Sequence, residues 1–150
     1  MQSSQHGRCQ CEKISYSFDQ SKIISAHHCH CRDCQRATGS GKATIIIVPK
    51  KHVNLHGELK YFEVKGSKGS HIRRGFCENC GSGILSYAKE IPHIFYIKAG
   101  TLNDSSWLKI DSNFFTESAQ EWNKPSDAPK SFQANPSLGS NIKTLFKSFK

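Results

Sequence analysis

Apolar residues in this chain recur mostly at every second position, in short runs. Ile14, Tyr16 and Phe18 alternate with polar neighbours, and Ile23-Ile24-Ser25-Ala26 leads toward a group of cysteines. Residues 43–48 and 59–64 are rich in β-branched and aromatic side chains, and residues 72–76, 84–87 and 95–99 extend the pattern. A period of two places successive side chains on opposite faces of an extended strand. Turn signals separate the runs at Thr38-Gly39-Ser40-Gly41, Lys65-Gly66-Ser67-Lys68-Gly69 and Gly81-Ser82-Gly83. The longest apolar stretch, Ile45-Ile46-Ile47-Val48, predicts a buried strand and is far too short to span a membrane. The pattern predicts an all-β domain of short antiparallel strands.

From about residue 123 the composition turns to Pro, Ser and Lys (NKPSDAPKSFQANPSLGS), which predicts a linker or a segment lying over the surface. It leads into residues 141–150, where Ile142, Leu145, Phe146 and Phe149 fall at helical spacing with lysines opposite. A short basic amphipathic helix is expected there. A helix of that length is marginal alone, so it needs a surface to rest on: the β core or a second copy of the chain in a homo-oligomer, with capture of a membrane or a partner as the alternative. The expected organisation is a β domain over residues 1–122 and a tail over residues 123–150.

Charge narrows the partners only to anions. A formal charge of +9, from 21 Lys and Arg against 12 Asp and Glu, attracts nucleic acid, a membrane surface or a small acidic substrate alike. The basic residues are spread along the chain instead of forming a stripe interleaved with aromatics, and no recognition helix is visible, so no specific nucleic acid is expected. Residues 1–14 are polar and carry no apolar core of a secretory signal.

The cysteines carry the candidate chemistry. Seven fall into three clusters, Cys9-x-Cys11, Cys29-x-Cys31-x-x-Cys34 and Cys77-x-x-Cys80. An odd count leaves one thiol over in a disulfide framework, and such close neighbours rarely pair with each other, whereas these spacings suit the thiolate knuckles of zinc sites. Reduced thiols and zinc point to the cytosol or nucleus, and a cytoplasmic protein is expected. The two outer clusters predict a closed structural site of Cys9, Cys11, Cys77 and Cys80, with Gly81 available for a positive-φ turn. The central cluster has three thiolates: strand periodicity puts Cys29 and Cys31 on one face, and a turn at Arg32-Asp33 brings Cys34 to the same point. Its fourth position is either open, as in catalytic zinc, or filled by a histidine. His27 shares the parity of Cys29, His30 points the other way, and His28 is a third candidate. An open three-thiolate zinc is a soft Lewis acid suited to holding a substrate thiol. Arg32, Arg36 and Lys42 stand near enough in sequence to pair with carboxylates of an acidic thiol ligand. No general base is identifiable among His27, His28, His71 and His93.

Three segments together carry a family resemblance: Gly7-Arg8-Cys9-Gln10-Cys11, then Cys29-His30-Cys31-Arg32-Asp33-Cys34-Gln35-Arg36-Ala37-Thr38-Gly39-Ser40, then Arg73-Arg74-Gly75-Phe76-Cys77-Glu78-Asn79-Cys80-Gly81-Ser82. Over about residues 7 to 122 the chain resembles the glutathione-dependent formaldehyde-activating family, which also includes centromere protein V; Gly100-Thr101-Leu102-Asn103-Asp104 and residues 114–122 are similar to that family's closing segment. The resemblance implies a tent-like all-β fold stapled by two zincs per chain, one structural on Cys9, Cys11, Cys77 and Cys80 and one catalytic on Cys29, Cys31 and Cys34. It further implies a carbon-sulfur lyase that condenses glutathione with formaldehyde to S-hydroxymethylglutathione, so that the partners are a small-molecule thiol and an aldehyde. Two positions depart from the family pattern: Glu12 replaces a usual Gly near the first zinc, and Asn103-Asp104 replaces an acidic pair. The alternative from a different class is a basic binding module in which both zincs are structural and the surface contacts nucleic acid or a protein partner.

Overall fold

The computed structural model describes residues 3–125, 128 and 130–134; the helix expected within residues 141–150 lies outside them. In chain order the strands are β1 (Ser4–Arg8), β2 (Ser15–Asp19), β3 (Ser25–Cys29), β4 (Ala43–Pro49), β5 (Val53–His56), β6 (Lys60–Lys65), β7 (His71–Phe76), β8 (Gly83–Ala88), β9 (Ile91–Lys98), β10 (Ser112–Phe114) and β11 (Lys130–Ser131), with helix α1 (Arg32–Thr38) between β3 and β4. They form two open sheets: three strands in the order β1-β2-β5, and eight in the order β11-β10-β3-β4-β9-β8-β7-β6. Pairing is antiparallel except at β10, which runs parallel to both β3 and β11. The all-β expectation holds.

The run from Ile45 to Val48 is continuous because β4 is covered on both faces. Ile46 and Val48 point into the main core, with Tyr16 and Phe18 of the small sheet and Ile84, Leu85 and Ile97 of the large one. Ile45 and Ile47 point the other way, into a second cluster with Cys29, Cys34 and Ile94. The side chains of β2 alternate because only one of its faces meets the core: Tyr16 and Phe18 are buried, and Ser15, Ser17 and Asp19 are half-buried.

Close approach of the small sheet to the segment after β9 requires a glycine. A Cβ at Gly7 would lie 2.3 Å from the Tyr16 ring and 2.7 Å from the Thr101 carbonyl oxygen. With that space open, Gly7 bridges to Leu102, and the Tyr16 hydroxyl sits 2.7 Å from Thr101 Oγ1. The first thiol cluster is thereby drawn toward the end of β9.

One element differs from expectation. The turn foreseen at Arg32-Asp33 is the first turn of a seven-residue helix, closed at its far end by Gly39 with φ 66°.

Candidate metal centre

The outer cysteines sit in two turns that face each other. Cys9 and Cys11 lie between β1 and β2, Cys77 and Cys80 between β7 and β8, and their four sulfurs all lie within 4.8 Å of one another. Cys9 Sγ is 3.6 Å from Cys11 Sγ, which is 3.6 Å from Cys77 Sγ. A tetrahedron with metal–sulfur bonds of about 2.3 Å has edges of about 3.8 Å, so these separations suit a shared ion. They are far beyond the ~2.05 Å of a disulfide, and all seven cysteines are free. Both turns use left-handed backbone: Gly81 has φ 77°, as its residue type predicts, and Glu12 has φ 68° although it is not glycine. The amide of Ile14 donates to Cys9 Sγ and that of Gly81 to the Cys77 carbonyl. The Cys80 thiol is pulled down to about 5, first by the hydrogen bond of the Ser82 hydroxyl and then by backbone amides of Ser82 and Cys11.

The central cysteines are gathered by a strand end and a helix start. Cys29 closes β3, Cys31 is the N-cap of α1, and Cys34 occupies its first turn, donating its N–H to Cys31 Sγ. Thr38 Oγ1, one turn on, donates to the Cys34 carbonyl at 2.8 Å. The three sulfurs also lie within 4.8 Å of one another, and among the described residues no histidine or carboxylate joins the set. Hydrogen bonds from Cys29 and Cys31 pull the Cys34 thiol down, helped by Arg74, whose guanidinium is 3.9 Å from Cys34 Sγ. Cys29 is driven strongly upward by its contacts with Cys31 and Cys34 and by burial. Three thiols this close cannot all ionise without a cation among them, and a thiophilic divalent ion meets that need.

None of the candidate histidines joins the three-thiol group. His27 does lie on the face of Cys29, but its ring stacks on Phe114 with centroids 3.9 Å apart, and burial pushes its pKa down to about 3. His28 Nδ1 is 2.9 Å from Thr44 Oγ1 and His30 Nε2 is 3.3 Å from Asn113 Oδ1. His71 pairs with Glu90 at 2.7 Å, and His93 lies on β9.

Beside the three-thiol cluster opens a cleft of about 450 Å³. One wall carries Ala37 and Thr38 of α1 with Lys42, Ala43 and Thr44; the other carries Gly81, Ser82 and Gly83; Lys98, Gly100 and Thr101 also line it. No cysteine lines the cleft, but Ala43 pairs with Cys29 across β3 and β4 and Ser82 contacts Cys80, so its lining residues neighbour both clusters. Of the basic residues singled out in the sequence, only Lys42 lines it. Arg32 is hydrogen-bonded to Gln35 Oε1, and Arg36 is exposed. The buried Gln35 also donates to the carbonyls of His30 and Ser118, fastening residues 116–123 to the cysteine loop. Asp104 accepts from the Ser106 N–H, and neither it nor Asn103 lines the cleft. Sequence reasoning missed two cations of the site, Arg74 and Lys98. The signal for Lys98 was a charge at the end of the otherwise apolar Ile94-Phe95-Tyr96-Ile97 run.

Among known proteins, the model of the glutathione-dependent formaldehyde-activating enzyme family matches residues 4–118. A crystal structure of a Rhodobacter sphaeroides protein, a structural-genomics target, is similar over 70% of this chain and 96% of its own, with a TM-score of 0.54 and 16% identity. At that identity the likeness is one of fold. No curated protein matches the chain.

Proposed function

Because the chain belongs to the glutathione-dependent formaldehyde-activating enzyme family, we propose that it is a zinc-dependent carbon-sulfur lyase that interconverts glutathione plus formaldehyde with S-hydroxymethylglutathione. The observation that carries this reading is the three-thiol cluster with no fourth protein donor among the described residues, set near an open cleft. Zinc held by Cys29, Cys31 and Cys34 would supply a soft Lewis acid with a position left for a sulfur ligand, and zinc held by Cys9, Cys11, Cys77 and Cys80 would be structural. Arg74 stabilises Cys34 as a thiolate and so keeps the donor set ready. The cleft receives the rest of the thiol and holds its sulfur in one orientation toward the aldehyde. In the forward step sulfur bonds to the carbonyl carbon, the π pair moves to oxygen, and oxygen takes up a proton. S–H is thus added across C=O and nothing leaves.

We assign the activity to residues 1–122, with residues 123–150 as a tail. The seven free thiols favour a reducing compartment, and we place the protein in the cytoplasm.

Thiols add to formaldehyde unaided, so the test must measure acceleration. Exchange NMR on carbon-13 formaldehyde with glutathione, with and without protein, is expected to show faster exchange that Cys34→Ser abolishes. Zinc analysis before and after glutathione treatment is expected to show one labile and one retained metal. Exchange at the spontaneous rate, with zinc content indifferent to glutathione, would reject the proposal.

A further inference from the structure

We infer that Lys98, with Lys42 in the same cleft, forms a carboxylate-binding subsite that selects acidic thiols over neutral ones. This inference rests on the lyase reading for its thiol, and on the cleft itself for its carboxylate.

The cleft lining contains two lysines and no acidic residue. Lys98 ends β9 with its side chain half-buried. The carboxylates that form ion pairs among the described residues are those of Glu12, Glu63, Glu78, Glu90 and Glu121, and none pairs with Lys98 or Lys42. Gly83 keeps the ammonium open to the cleft, because a Cβ there would lie 2.5 Å from Lys98 Nζ. A cation partly withdrawn from water with no carboxylate partner is disfavoured. Burial, and then Arg74, push the Lys98 pKa down against a smaller upward pull from Cys34, and a bound carboxylate would offset the first two.

The competing role for Lys98 is as a counter-charge to the thiolates. Arg74 fills that role at 3.9 Å from Cys34 Sγ, whereas Lys98 acts on Cys34 only through a weaker charge interaction that ranks after burial and Arg74. Lys98 is therefore available to a ligand. The cleft volume falls within the usual range for small-molecule sites. Glutathione presents two carboxylates, so the proposed binding mode places one on Lys98 with the sulfur directed at the thiol cluster.

Calorimetric titration with γ-glutamyl-2-aminobutyryl-glycine, which is glutathione with a methyl group in place of the thiol, isolates the subsite from the metal. Lys98→Met is expected to weaken binding about tenfold, the scale of one hydrogen bond to a charged group, Lys98→Arg to weaken it less, and Lys42→Ala to have an intermediate effect. Zinc content and the melting temperature are read alongside and are expected to match the wild type. Wild-type failure to bind this peptide, or equal affinity in Lys98→Met, overturns the inference, and so does loss of zinc in that variant, which would make Lys98 a counter-charge. Binding that depends on Lys98, together with no acceleration of glutathione exchange, would leave the subsite standing and reject the lyase reading.

Discussion

Glu12 holds a backbone conformation that suits glycine better, with φ 68°, in the turn that presents Cys9 and Cys11. A side chain in this left-handed region costs about 1 kcal/mol, while glycine forfeits part of that gain through the greater freedom of its unfolded chain. The carboxylate recovers little: it is exposed and pairs with Arg8 Nε at 3.5 Å, an arrangement that contributes a few tenths of a kcal/mol at most. Glu12→Gly is therefore expected to raise the melting temperature by a degree or more, and Glu12→Ala, which removes the same carboxylate without relieving φ, to lower it. Thermal denaturation of the pair with zinc present checks this. A rise in both would locate the cost in the charge and not in the backbone. The departure from the family's glycine at this position thus leaves the turn's shape in place and taxes only its stability.

At the scale of elements, the two clusters differ in what they join. Cys9 and Cys11 belong to a turn of the small sheet and Cys77 and Cys80 to a turn of the large one, the contacting Cys11 and Cys77 being 66 positions apart in the chain. Breaking that cross-link releases a long loop and unpins one sheet from the other. Cys29, Cys31 and Cys34 join only the end of β3 to the start of α1. Serine is a favoured N-cap, so Cys31→Ser removes a sulfur donor and keeps the cap. Cys31→Ser is expected to lose one zinc and all catalysis while melting within a few degrees of wild type, and Cys80→Ser to lose its cooperative transition. Calorimetry and zinc analysis on the two variants check this, and equal destabilisation would argue against a structural and a catalytic cluster. The same local character explains what could be read beforehand. Cysteine spacing predicted both thiol groups, alternation revealed β2 because one of its faces is buried, and the continuous apolar run revealed β4 because both of its faces are. Helix α1 escaped notice because it buries only Cys34 and Gln35, too few for an apolar period. β1 and β10 are polar strands held by backbone pairing, and β11 is only two residues long. The cleft was not legible because Lys98, Arg74 and Gly83 come from three strands whose registers no local pattern specifies.

For the molecule as a whole, the charge of +9 acts on every anion that approaches. Its consequences differ for a polyanion and for a small acid. Duplex DNA would engage scattered lysines and arginines at its phosphates, and each contact releases counterions, so that affinity collapses as salt rises. Reading sequence requires an element that fits the major groove. The only helix longer than a single 3-10 turn among the described residues is α1, seven residues long and committed at its first turn to Cys31 and Cys34. A small acidic thiol is drawn by the same field, but its bound carboxylate would meet Lys98 in a half-buried setting where salt screens less. Two salt series on one preparation should therefore diverge. Affinity for random duplex DNA is expected to fall by about two orders of magnitude or more between roughly 50 and 200 mM salt, with no preference among sequences. Affinity for the methyl analogue of glutathione is expected to fall only severalfold over the same range. A DNA complex that survives high salt and discriminates between sequences would instead make the charge an instrument of nucleic-acid binding and favour the reading of both thiol clusters as structural. Divergence in the expected sense would tie the charge to the cleft, where Lys42 and Lys98 line the space for a ligand near the thiol clusters.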